Sequence, residues 1–76
     1  MTYIPPPKIL LAFPNAKRVK PKSKRMRWQD QKFIYEWDSF HGKVEKYTKR
    51  GQHLGEFDPL TGEQTKQADP SRSIQP

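Results

Sequence analysis

Between Arg25 and Lys66 the chain alternates apolar and polar residues in short runs broken by turn residues, the period-two pattern of β-strands. Phe33-Ile34-Tyr35-Glu36-Trp37 is rich in aromatic and β-branched residues and predicts a strand. Alternation puts Phe33, Tyr35 and Trp37 on one face, and Ile34, Glu36 and Asp38 on the other. Glu36, set between two large aromatics, is expected to face solvent. Ser39–Gly42 reads as a turn. Lys43–Thr48 follows as a second strand, with Lys43, Glu45 and Tyr47 on one face and Val44, Lys46 and Thr48 on the other. Arg50-Gly51 marks the next turn and Gln52–Phe57 a third strand. Asp58-Pro59-Leu60-Thr61-Gly62 places Pro and Gly where a tight turn favours them. Glu63–Lys66 fits a fourth strand and Arg25–Trp28 an additional one. The expected class is mainly β (α+β), an antiparallel meander.

The two ends lack this alternation. Residues 1–24 hold Pro5, Pro6, Pro7, Pro14 and Pro21, and proline both fixes φ and removes a backbone donor. This stretch is expected to be an extended arm with one short helical turn near Ile9–Phe13. The division that follows is a proline-rich basic arm at 1–24 and a folded domain at 25–76. The last ten residues are polar and read as a tail unless something docks them. The large rings Trp28, Phe33, Tyr35, Trp37, Phe40, Tyr47 and Phe57 locate the expected core.

With 76 residues, a single small domain is the upper limit, and such a chain hides only about 60% of its unfolded surface. The sequence has no Cys, which excludes disulfides, thiolate zinc sites and a thiol nucleophile. Its longest apolar run, Ile9–Phe13, is far shorter than a membrane span or the core of a signal peptide. Net charge is +7, and all of the excess lies in residues 1–32. Lys17, Arg18, Lys20, Lys22, Lys24, Arg25 and Arg27 form a dense basic run. A solvated linker is the plain reading of such a run, and a phosphate-binding arm the sharper one. Neutralising six phosphates would make affinity fall about a thousandfold between 50 and 200 mM salt. The prolines argue against the amphipathic helix that a membrane surface would recruit.

Candidate chemistry is sparse. Only His41 and His53 are available as imidazole ligands and Asn15 is the single asparagine, so a histidine-metal nuclease site is not indicated. No phosphate-cradling glycine loop is present. Asp38 and His41 flank a turn and Glu45 lies on the next strand. On residue types alone, these are a surface Asp–His contact and an exposed strand carboxylate. His53 reads as a structural histidine and Arg72 as a solvated tail residue. Asp58 and Glu63 read as solvated charges beside a turn. The same residues also suffice for metal-free cleavage of RNA, which carries its own nucleophile in the 2′-hydroxyl. That reaction needs a base, an acid and a cation beside the phosphate.

The block Tyr35-Glu36-Trp37-Asp38-Ser39-Phe40-His41-Gly42-Lys43-Val44-Glu45-Lys46-Tyr47 closely resembles the cytotoxic domain of the ribosome-inactivating colicins. So do Gly51–Gly62 and Asp69-Pro70-Ser71-Arg72, in the same order. Domains of this type also end contact-dependent inhibition toxins and pyocin-like bacteriocins, which the proline-rich front resembles more than a colicin linker. The resemblance implies a compact, strongly twisted antiparallel sheet with a short N-terminal helical piece. It implies a metal- and cofactor-independent endoribonuclease that cuts small-subunit (16S) ribosomal RNA in the decoding centre. It places the catalytic set on Asp38, His41, Glu45 and Arg72, with Tyr47 and His53 supporting. The RNA grip would fall to Lys17, Arg18, Lys20, Lys22, Lys24, Arg25, Arg27, Lys43 and Lys46. The implied partners are the small ribosomal subunit of a target bacterium and an acidic immunity protein. The implied setting is a secreted or surface-delivered toxin whose monomeric effector domain acts in the target cytoplasm. Three departures stand out. Lys43 replaces an acid that a colicin relative carries, the turn after Tyr47 is one residue shorter, and no basic terminus follows Arg72. The competing class is a non-catalytic RNA-binding module of a translation-associated protein, which would have no need of the Asp38, His41, Glu45 and Arg72 set.

Overall fold

The computed structural model describes residues 3–76. Six strands run in chain order: β1 (Lys17–Val19), β2 (Arg27–Gln29), β3 (Phe33–Asp38), β4 (Lys43–Thr48), β5 (His53–Phe57) and β6 (Gln64–Gln67). Each pairs antiparallel with the next, giving one sheet of order β1-β2-β3-β4-β5-β6. The meander is as expected from the alternating pattern, extended by one strand at its front. The β3–β4 register sets Phe33 opposite Thr48, Tyr35 opposite Lys46 and Trp37 opposite Val44, with Ile34, Glu36 and Asp38 on the other face. No helix among the described residues is long and apolar enough to cross a membrane.

One face carries the apolar core. Trp28, Tyr35, Trp37 and Val44 are buried there, with Phe33 and Phe57 partly so. The segment before β1 covers them. Leu10 and Ala16 are buried in the same cluster, and Ile4 and Phe13 pack against it. The Phe13 ring lies 4.8 Å from Tyr35 and 6.1 Å from Phe57. The indole N–H of Trp37 donates to the carbonyl of Ile4 at 2.8 Å, and that of Trp28 to the carbonyl of Lys8 at 3.3 Å. These bonds give both indoles their partners under the cover. Burying Leu10 contributes roughly 1.5–3 kcal/mol, so the proline-rich segment is a stabilising part of the body.

Several expectations change here. No helix forms among the described residues, and Ile9–Phe13 is not a helical turn. Pro7 and Pro14 bracket too few residues to nucleate a helix. Instead Phe13 N–H bonds the Leu10 carbonyl and Ala16 N–H the Phe13 carbonyl, two consecutive tight turns at 3.0 Å each. Phe40 leaves the core, its side chain held in a turn at 62% exposure. The last residues are no free tail. Gln52 bridges Ser73, Ile74 N–H donates to Gly51 at 2.9 Å, and His53 N–H donates to Arg72 at 3.2 Å. Gly51 makes this docking possible: its φ is +90°, and a Cβ there would collide with the Ile74 carbonyl.

Candidate active site

The face opposite the core is lined by charge. Arg27 pairs with Glu36 in register, Glu36 with Glu45, and Glu45 with Glu56, so three carboxylates stand in one row across β3, β4 and β5. All three are buried. Like charges directly opposite on a sheet repel, and burial removes the water that would screen them. Each carboxylate therefore needs its own counter-group. Glu36 takes two bonds from the Arg27 guanidinium, at 2.7 and 3.2 Å. This overturns two expectations. Glu36 is not exposed, and Arg27, at 2% exposure, is committed to it rather than open to phosphate.

Glu45 sits in the middle of the row and, contrary to the bland reading, is not an exposed strand residue. Its Oε1 lies 2.7 Å from Nε2 of His53 and 3.5 Å from a terminal nitrogen of Arg72. The backbone N–H of Asp69 donates to Nδ1 of His53 at 2.9 Å. A donor on Nδ1 leaves Nε2 as the protonated nitrogen, so the ring passes one hydrogen bond from the Asp69 backbone to the Glu45 carboxylate. Alternation alone would turn His53 toward the core, because Glu56 three residues on faces the carboxylate row. A shift in the β4–β5 register between Lys46 and Tyr47 sets His53 opposite Tyr47 and reverses it. Gly55 lies in this irregular stretch at φ +141°, where a Cβ would meet the Lys66 carbonyl at 2.6 Å and the Gln64 amide. The bulge thus re-aims one imidazole. The buried Tyr47 ring braces it edge-on, 5.2 Å between centroids. Burial pushes the Tyr47 phenol above its ordinary pKa, partly offset by the Arg72 charge.

His41 stands at the β3–β4 turn. Its Nδ1 lies 2.7 Å from Asp38 Oδ2, while Asp38 Oδ1 accepts the backbone N–H groups of Phe40 and His41 at 2.9 and 3.2 Å. Burial raises the Asp38 carboxyl, but the bonds from the ring and those two N–H groups outweigh it and hold its pKa below the ordinary value. A carboxylate on Nδ1 fixes the ring and leaves Nε2 for a substrate. The ring is 45% exposed. Arg72 reaches the site from the docked C-terminal segment with its side chain 37% exposed. Arg25, Asp38, His41, Glu45, His53, Lys66, Asp69 and Arg72 line one open cavity of about 490 Å³. A larger one, about 700 Å³, lies at the core face around Phe13, Asp30, Tyr35 and Lys46, and contains no imidazole.

The basic residues divide in two. Lys17, Arg18, Lys20, Lys22, Lys24 and Arg25 are exposed, and Lys22 and Arg25 flank Arg72 in an adjoining groove. Lys43 shares the Glu45 face, 3.7 Å from Asp58. Lys46 points the other way, its ammonium 4.0 Å above Phe33 and 4.9 Å from Phe57. Burial lowers its pKa. Lys46 is thus a cation–π element of the core side, not a group facing the cavity. Sequence reading also missed Glu56. The signal was there in its register with Glu45, visible only once the strands are aligned. Its Oε2 accepts the Thr65 hydroxyl at 2.7 Å, and its buried Oε1 has no hydrogen-bond partner.

Comparison with known proteins identifies the family. The chain is 45% identical over 84 residues to cloacin of Escherichia coli, covering 95% of this chain and 15% of cloacin. It is 57% identical over 54 residues to colicin E3 of Escherichia coli, covering 67% of this chain and 10% of the relative. Colicin-E6 of Escherichia coli is 45% identical over 84 residues, with 95% of this chain and 15% of the relative covered. The chain therefore spans only 10–15% of the length of these curated relatives. The family model described as Cytotoxic matches residues 4–75, from the segment covering the core to the one that delivers Arg72. A match of that extent places the chain in the Cytotoxic family, the domain it has in common with cloacin and the colicins.

Proposed function

We propose that this chain is the endoribonuclease domain of a bacterial toxin that cuts 16S ribosomal RNA in the decoding centre and so blocks translation. The observation that carries the reading is the convergence of Glu45, His41 and Arg72 on one open cavity, with His53 orienting the carboxylate and Asp38 the imidazole. Glu45 takes the proton of a 2′-hydroxyl. The freed oxygen attacks the adjacent phosphorus, and the bond from phosphorus to the 5′-oxygen breaks. His41, held through Nδ1 by Asp38, gives a proton from Nε2 to that leaving oxygen. The products are a 2′,3′-cyclic phosphate and a 5′-hydroxyl, and no metal is needed. Positioned acid–base groups of this kind give about 10²–10⁴ in rate. Arg72 neutralises the extra charge on the phosphoryl oxygens as it builds.

Lys17, Arg18, Lys20, Lys22, Lys24 and Arg25 hold the phosphate backbone, assisted by Lys43. An acidic immunity protein in the producing cell suits a chain of net charge +7. The domain is delivered as a monomeric part of a larger secreted or surface-presented toxin and acts in the cytoplasm of the target bacterium. The test incubates intact bacterial ribosomes with the protein, with and without brief EDTA treatment, and maps small-subunit RNA ends by primer extension. A single cut near the 3′ end, ending in a 2′,3′-cyclic phosphate and lost in Glu45→Ala, is expected. Intact RNA beside folded, ribosome-bound protein would instead favour a passive binding module.

A further inference from the structure

Glu56 is the residue that the reaction above leaves unexplained. Its side chain is 5% exposed, its Oε1 has no hydrogen-bond partner, and that oxygen lies 3.7 Å from Nδ1 of His41. A buried carboxylate oxygen without a donor is costly, and here a second carboxylate, Asp38, stands on the same ring nitrogen at 2.7 Å. One ring N–H cannot satisfy both. One ligand atom each from Asp38, His41 and Glu56 can be chosen so that all three lie within 4.8 Å of one another.

We infer that Asp38, His41 and Glu56 form a binding site for a divalent transition-metal ion of the zinc type, which would take His41 out of the reaction. Zinc binds imidazole nitrogen and carboxylate oxygen at about 2.0–2.2 Å, so tetrahedral ligands stand roughly 3.3–3.5 Å apart. The observed 2.7 and 3.7 Å separations from Nδ1 bracket that spacing. Three protein ligands leave the fourth position of a tetrahedron for water. The donor set selects against magnesium, which prefers an all-oxygen octahedron and keeps its waters. The ion would displace hydrogen from Nδ1 and supply the missing partner of Glu56. Asp38 is already aimed by two backbone N–H groups, so one ligand is fixed before the ion arrives.

Binding is read on the 76-residue chain without RNA, so it stands or falls apart from the proposed cleavage. Zinc chloride is titrated calorimetrically into the chain in chelator-stripped buffer, with magnesium chloride as the parallel arm. One zinc per chain is expected, with a rise in melting temperature and no response to magnesium. Loss of an outer-shell partner alone weakens metal sites about 10–100-fold, so Glu56→Gln should cost at least that. Should Glu56→Gln not fold, His41→Asn at the exposed turn gives the same reading. No zinc heat in the parent chain overturns the inference. So does equal zinc affinity in the parent and in either folded variant. Where cleavage is also measured, zinc should inhibit it in step with site occupancy. Stoichiometric zinc binding by a protein that cleaves nothing would leave the site standing and remove only the reaction.

Discussion

Replacing His53 tests the relay that holds the central carboxylate. The imidazole is buried and makes two bonds, accepting from Asp69 N–H at 2.9 Å and donating to Glu45 at 2.7 Å. In His53→Ala the buried carboxylate loses its short donor, and hydrogen bonds to charged groups contribute about 1.5–3 kcal/mol. The Asp69 N–H also loses its partner, and water entering from the open cavity recovers part of both losses. A net cost of about 3 kcal/mol is the expectation, a large share of the roughly 4–11 kcal/mol available to a chain this size. Thermal unfolding should then fall by about 12–24 °C. His53→Gln offers an amide donor where Nε2 stood but no reliable acceptor for Asp69. His53→Asn offers a group near Nδ1 but cannot reach Glu45. If the bond to the carboxylate dominates, the order of stability is histidine, glutamine, asparagine, alanine. The assay is thermal denaturation of all four proteins by circular dichroism, with ribosome cleavage alongside. An alanine variant within about 0.5 kcal/mol of the parent would refute the reasoning, because surface changes remote from such networks produce shifts of that size. A glutamine variant no better than alanine would refute the assignment of Nε2 as donor.

Gly55→Ala should destabilise by about 2–4 kcal/mol, from a positive φ and a Cβ driven against the Lys66 carbonyl, as measured by urea unfolding. For acid stability the sign follows from Asp38. Its depressed carboxyl stabilises the fold above about pH 4, and that contribution drains away as pH falls through its folded value, so Asp38→Asn should flatten the acid limb of a stability–pH curve. At the alkaline end the argument reverses. Burial, with the bond to Asp30, raises the Tyr35 phenol, so its contribution is full below about pH 10 and drains away as pH rises toward the raised folded value, and Tyr35→Phe should flatten the alkaline limb in thermal scans. Lys46→Ala should weaken the fold by about 1 kcal/mol or more through its lost aromatic contacts, yet leave the salt dependence of ribosome binding unchanged. Arg25→Ala and Lys22→Ala should each lower the slope of log affinity against log salt by about 0.7–0.9 with little loss of stability.

Strand identity was legible because the middle of the chain alternates cleanly and its turns carry Pro, Gly and Asp in informative places. The facing of Glu45 and Tyr47 followed directly, as did the separation of Phe33, Tyr35 and Trp37 from Asp38. Three things were not legible. The orientation of His53 depends on a register shift, and a bulge breaks the alternation used to read a strand. The burial of Glu36 depends on Arg27 arriving from a neighbouring strand, a pairing set by register rather than by local pattern. The two ends looked like free segments because proline and polar residues suppress periodicity. Their anchoring comes from backbone carbonyls, at Ile4 and Lys8 for the indoles and at Gly51 and Arg72 for the last strand contacts. Backbone groups are the same in every residue, so sequence carries little trace of where they bond.

The row of glutamates distinguishes three carboxylates that share one sheet face. A lone buried carboxylate could be neutralised by one fixed partner, as Arg27 neutralises Glu36 with two bonds in a closed, dry pair. Such a carboxylate is structurally satisfied and chemically idle. Glu45, one strand over, has a short bond from a histidine that is itself tied to the backbone, and only a longer 3.5 Å approach from the partly exposed Arg72. Its partners orient it without saturating it, and the cation at 3.5 Å is open to solvent on one side. Glu56, one strand further, lies beyond the reach of Arg27 and Arg72 pairing and is left with a hydroxyl and an open oxygen. Fixed counter-charge thus declines across the sheet from β3 to β5, all three carboxylates staying buried, and the part-exposed His41 ring stands beside the last of them. The carboxylate that combines a short orienting bond with a partly exposed cation nearby is the middle one, which suits the base role proposed for Glu45.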